Sequence, residues 1–149
     1  EADDAKPTAE IGGEPEARGE NAALVLDGPA IAKAHRKQAQ AMLDAAKAAY
    51  KTTQADYDTG MAVFSEVYEW SRRWLKAELN LANDRPAEIA VLQEHWKRMK
   101  RSYFRIKALN KTGTRGGETQ KLHAVEFYVA EAEFWLAAAD GAIPKKLDD

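Results

Sequence analysis

His35, His95 and His123 are the residues of this 149-residue sequence best suited to hold a metal ion or a haem. An ion needs its ligands on one patch. If the last two predicted helices fold back about a turn at Gly113–Gly116, facing positions sum to about 229. That places His95 beside Phe134 and His123 beside Ile106, too far apart to share an ion. His35 lies at the opposite end of its helix from the Gly60 turn. No Glu-x-x-His pair is present, so the di-iron bundle signature is missing. His123-x-x-Glu126 offers two ligands on one turn, which is short of a set. The histidines are read as surface or interfacial residues. A haem between a methionine and a histidine could draw on Met42, Met99 and His95, but a methionine at a seam position is ordinarily core filler. A haem or metal carrier is therefore the third reading, and no cofactor or metal ligand is assigned. With no cysteine, disulfides, thiolate metal sites and cysteine nucleophiles are excluded. Glu78 and Glu133 could form a paired-acid site, but the plainer reading is surface ion pairing, such as Glu78 with Arg73. No serine sits in a nucleophile elbow and no glycine loop follows a strand. The expectation is a protein that is not an enzyme.

Two other groups of residues could bind a partner. Lys97, Arg98, Lys100, Arg101, Arg105, Lys107, Lys111 and then Arg115 crowd one stretch against the single acid Glu94. Lys97, Arg101 and Arg105 recur at i, i+4 and i+8, one stripe of a helix. With Arg98 they are candidates for an anionic partner: nucleic acid, a lipid headgroup or an acidic polymer. Nucleic acid is the least favoured, because no recognised binding module is present. The aromatic group is Phe127-Tyr128-Val129 and Phe134-Trp135-Leu136, seven residues apart. It makes one helix apolar around roughly 200°. Tyr68, Trp70 and Trp74 broaden a second helix in the same way. Either these helices each touch two neighbours, or they offer a partner surface, for which Trp and Tyr are favoured. Tyr68, Trp70, Trp74, Phe127, Tyr128, Phe134 and Trp135 are the partner-interface candidates.

The elements that must position these residues are helices. Asp27-Gly28-Pro29 is a start signal. A first helix follows with a seam at Ala39, Leu43, Ala46, Tyr50, Thr53 and Tyr57, alternating 4 and 3, and ends at Gly60. A second shows Val63, Val67, Trp70, Trp74, Ala77 and Leu81, with Ser65-Glu66 as its capping residues, and closes near Asn83-Asp84. Pro86 opens a third, with Ile89, Leu92, Trp96, Met99, Tyr103 and Ile106. After Gly113 and Gly116-Gly117 a fourth reads Leu122, Val125, Val129, Ala132, Leu136 and Ala139, stopped by Gly141 and Pro144. No strand is evident.

The seams repeat. Val67, Trp70, Trp74, Ala77 and Leu81 map onto Leu122, Val125, Val129, Ala132 and Leu136 at an offset of 55, which also carries Ala77-Glu78 onto Ala132-Glu133. The first and third helices match at an offset of 53, including Gly60 with Gly113. The difference is an insertion within Thr114–Gly117. The expected fold is all-α: two repeated antiparallel hairpins, about 29–83 and 86–140, forming a four-helix bundle or stack. Tyr57-x-x-Gly60, Ser65-Glu66-Val67 and Ala77-Glu78-x-x-Leu81 together resemble the helical-hairpin repeat of TolC-like outer-membrane efflux proteins. The likeness covers roughly residues 40–138. The second copy keeps Ala132-Glu133-x-x-Leu136 and loses the hydroxyl-acid pair. There are no barrel strands and the helices are far shorter, so a transport channel is not implied. The resemblance implies a hairpin module of cell-envelope type.

Charge divides the chain. Residues 1–28 hold eight acids against Lys6 and Arg18, a balance of −6, in a chain of net charge −2, leaving +4 for the rest. An irregular acidic leader (1–28) thus precedes a mildly basic body (29–141) and a short tail (142–149). Ala22–Leu26 is the leader's apolar stretch best suited to dock. No apolar run reaches the ~20 residues of a membrane span. The chain begins at Glu1 and not at Met, so an exported, periplasmic placement is expected, with a cytoplasmic one as the alternative. The function expected is a helical interaction or scaffold module that binds a protein partner or itself. The alternative is a binder of an anionic partner through the third helix.

Overall fold

The computed structural model describes residues 28–112, 118–145 and 147. Among the described residues are five α-helices and no strand: α1 (Gly28–Ala34), α2 (Arg36–Thr59), α3 (Phe64–Leu81), α4 (Arg85–Thr112) and α5 (Glu118–Ala138). Most of the leader (residues 1–27), Gly113 and the insertion before α5 lie outside the described residues. No described helix is long and apolar enough to cross a membrane.

The fold is all-α, built from two antiparallel hairpins. α2 pairs with α3 and α4 with α5, and α3 and α4 join the two. The predicted seams lie inside on α2, α4 and α5, but on α3 the inner face is Phe64, Val67, Tyr68, Ser71, Leu75 and Ala77. Of the seam expected there only Val67 and Ala77 are buried; Trp70, Trp74 and Leu81 are half-buried, and Val63 is 59% exposed. Leu43, Ala46 and Tyr57 are buried on α2, as are Leu92, Trp96, Met99 and Ile106 on α4, and Val125, Val129, Ala132, Leu136 and Ala139 on α5. The core falls into two clusters. One surrounds Met99, Trp96, Leu75 and Leu136; the other sits near the α2–α3 turn around Val67, Phe64, Ile106 and Val125.

Local chemistry sets the helix ends. Gly60 takes φ 81°, and the N–H of Gly60 and of Met61 bond back to Tyr57 and Asp56 carbonyls at 3.1 and 2.8 Å. This is a left-handed helix stop, a conformation glycine adopts without a Cβ penalty. α3 is capped at Val63, two residues before the predicted Ser65, because the Glu66 carboxylate accepts the Val63 N–H at 3.2 Å. Asp84 caps α4 by accepting the Ala87 N–H at 2.8 Å. α5 also ends in a left-handed turn, but the residue with positive φ is Asp140, not Gly141. Gly141 is needed for space: a Cβ there would lie 2.9 Å from Leu136 and 3.0 Å from Ile89.

The single first helix expected from the sequence is broken at His35, which leaves the helical region at φ −123°, ψ 47°. Hydrogen bonds continue on both sides, from His35 N to the Ile31 carbonyl and from Ala39 N to the His35 carbonyl. The break is therefore a kink. It turns α1 across the C-terminal end of α3, where Ala32 is buried and Gly28 sits against Asn80.

Candidate interaction surfaces

The joint between the hairpins is polar. Ser71 on α3 and His95 on α4 are both fully buried, and Arg98 is 5% exposed. Arg98 Nε donates to Ser71 Oγ at 3.2 Å, and Ser71 Oγ lies 3.2 Å from His95 Nδ1. A hydroxyl carries one proton and two acceptor lone pairs, so Ser71 can meet Arg98 and His95 at once, with its role toward Nδ1 set by the imidazole tautomer. His95 Nε2, Arg98 Nη2 and Trp74 Nε1 have no hydrogen-bond partner among the described residues. The Arg98 guanidinium instead lies over the Trp74 ring, 3.9 Å from its centroid. Burial, then Arg98 and Arg72, pushes His95 down to about 3, so it is neutral at pH 7. Burial also lowers the pKa of Arg98, with Glu78 opposing.

Two expectations are corrected here. His95 is an interior residue and not a surface or interfacial one. It packs against Trp135, one position from the expected Phe134, with ring centroids 5.7 Å apart. Arg98 is not on the surface with the other basic residues. A serine beside a histidine is half of a nucleophile–base pair. Here both are sealed from solvent, so no substrate reaches Ser71 in this conformation.

The remaining basic candidates share one helix but not one free stripe. Lys97 pairs with Glu94 at 2.9 Å and Arg105 with Asp58 on α2 at 2.5 Å. Arg101 is exposed. Glu78 pairs with Lys47 at 3.3 Å, where Arg73 was expected. The carboxylate of Glu133, the repeat-matched acid, accepts the Trp96 indole N–H at 3.1 Å. His123 and Glu126 meet at 3.2 Å on the surface. Among the described residues no three metal-ligating side chains converge.

The aromatic candidates divide. Tyr68 is buried and stacks on Tyr128 with centroids 3.4 Å apart, and its hydroxyl donates to the Glu131 carboxylate. Burial and that bond push its pKa up. Trp74 is half-buried, edge-on to Tyr50 at 5.4 Å. Trp70 and Trp135, also half-buried, lie under Arg73 at 4.4 Å and Arg72 at 5.7 Å. Five of the seven candidates thus line internal or half-covered joints, with Tyr128 and Trp135 turned toward α3 or α4. Phe127 and Phe134 are different: they stand 62% and 69% exposed.

No family model, curated protein or solved structure matches this chain. The reading of function rests on geometry. On α5, Phe127, Ala130, Phe134 and Ala137 are all exposed and spaced i, i+3, i+7 and i+10, which makes one straight stripe. The two alanines were missed in the sequence. Their signal was the same 3/4 spacing as the buried seams, read one face over.

Proposed function

We propose that this protein is a non-catalytic helical interaction module whose contact surface is the outer stripe of α5. The observation that carries the reading is the pair Phe127 and Phe134, 62% and 69% exposed two turns apart, with exposed Ala130 and Ala137 between and after them. Large residues alternating with small ones suit knobs-into-holes packing by another helix. The resemblance to TolC-like hairpins makes the cell envelope the natural setting.

Magnitude limits what this surface does alone. Burying a phenylalanine side chain contributes ~1.5–3 kcal/mol. A two-fold pairing of α5 with α5 uses each ring twice, giving ~6–12 kcal/mol against an association cost of ~4–15 kcal/mol. Self-association through this stripe is weak and concentration-dependent, so a firm complex draws on a partner with further contacts. Light scattering over a wide concentration range, with and without Phe127→Ser and Phe134→Ser, tests the first point. Co-purification from the native source tests the second. A strict monomer with no recovered partner sinks the reading.

A further inference from the structure

The kink at His35 delivers the start of α1 to an open groove. Pro29 forms part of its wall, beside Lys76, Leu79 and Trp135. The groove lies between α3 and α5, with Leu92 of α4 on its floor. It is two joined hollows of about 410 and 460 Å³ that share Lys76, Leu79, Leu92 and Trp135. The floor is apolar and the rim is basic. Arg72, Arg73 and Lys76 stand along α3 against Glu69, while Arg85 and Glu88 at the other end pair with each other. Among the described residues, no carboxylate pairs with Arg72, Arg73 or Lys76.

The residues directly before Gly28 carry the complementary pattern. Ala22-Ala23-Leu24-Val25-Leu26 is apolar, bounded by Glu20 and Asp27, in a leader of net charge −6. Reach is sufficient. From Asn80, which touches Gly28, back to Arg72 is eight residues of helix, ~12 Å. Five extended residues span ~16 Å. We propose that Ala22–Leu26 occupies this groove within its own chain. Leu24 and Leu26, on one side of an extended segment, would cover Trp135 and Leu79, and the flanking acids would face the α3 cations. Any competing ligand must then be apolar and anionic in the same way.

Hydrogen exchange of the full chain, read by mass spectrometry, tests this. Amides of residues 22–27 are expected to exchange at least ~10-fold more slowly than a free chain, the expectation for amides closed by docking. Leu24→Asp with Leu26→Asp, and separately Arg72→Glu with Lys76→Glu, should restore free-chain exchange there while α4 and α5 keep their protection. Free-chain exchange in the unaltered protein overturns the proposal. So does protection that survives both double variants. Protection that rises with protein concentration puts the leader on a neighbouring molecule and overturns docking in cis.

Discussion

Replacing His95 by asparagine separates the cost of burying an imidazole from ordinary acid loss. Asparagine can still accept the Ser71 hydroxyl through Oδ1, but it does not titrate. In the fold His95 is held at about 3, against 6.5 for a free imidazole, by burial first and then by Arg98 and Arg72. The sign follows from proton counting. Between those two values the unfolded chain binds a proton that the folded chain refuses, so stability is lost as pH falls below about 6.5. At about pH 4.5, two units below the free value, the penalty is ~2.7 kcal/mol at ~1.4 kcal/mol per unit. Urea melts at about pH 7 and about pH 4.5 give the loss for each protein. The unaltered chain should lose ~2–3 kcal/mol more than His95→Asn, since both share the same carboxylates. Parallel losses, within ~0.5 kcal/mol, would refute the claim that a buried neutral His95 governs acid sensitivity.

Arg98→Met replaces a buried cation by an apolar chain of similar length. It should leave stability unchanged or raised, and it should raise the His95 pKa in an NMR titration because one of the causes depressing it is gone. Met99 is fully buried, so Met99→Ala should cost ~2–5 kcal/mol in denaturant melts, while Met42→Ala, at a position 63% exposed, should stay within ~0.5 kcal/mol. Gly60→Ala meets no atom within 4 Å, and its φ of +81° is the only obstacle. It should therefore cost ~1–2 kcal/mol by backbone strain alone, and a thermal melt unchanged from the parent would contradict that account.

The residues show where sequence reading succeeds and where it stops. Alternating spacings of 3 and 4 located the inner faces of α2, α4 and α5, because burying an apolar stripe is the dominant local requirement. On α3 the expected seam, through Trp70 and Trp74, runs one face over, while Phe64, Tyr68, Ser71 and Leu75 turn inward. The facing rule on α4 and α5 brought His95 to Phe134, one position from Trp135, its neighbour in the fold. The kink at His35 had no such signal. The Ala-rich run around it contains no breaker, and the turn is imposed by α1 packing on α3, a tertiary effect that overrides propensity. Arg98 and His95 misled because charge was taken as a mark of solvent. Their spacing told otherwise: 95, 98 and 102 form a stripe beside the apolar seam, and Ser71 sits among Phe64, Tyr68 and Leu75 on the facing helix. The breadth of α5 had two causes, not one. Tyr128 and Trp135 serve a second inner neighbour, and Phe127 and Phe134 serve none among the described residues.

That polar joint bears on why the two hairpins meet in one way. Apolar seams of period 3 and 4 slide past one another at modest cost, since one heptad resembles the next. The layer of Ser71, His95 and Arg98 does not. A shift of one turn between α3 and α4 moves Ser71 ~5.4 Å and leaves both His95 Nδ1 and Arg98 Nε buried without a partner. Each such loss costs ~1–3 kcal/mol, which exceeds what a shifted apolar contact recovers. The unmet Nε2 and Nη2 atoms mean the layer is not optimal for stability. Its physical effect is to penalise a shifted register between α3 and α4.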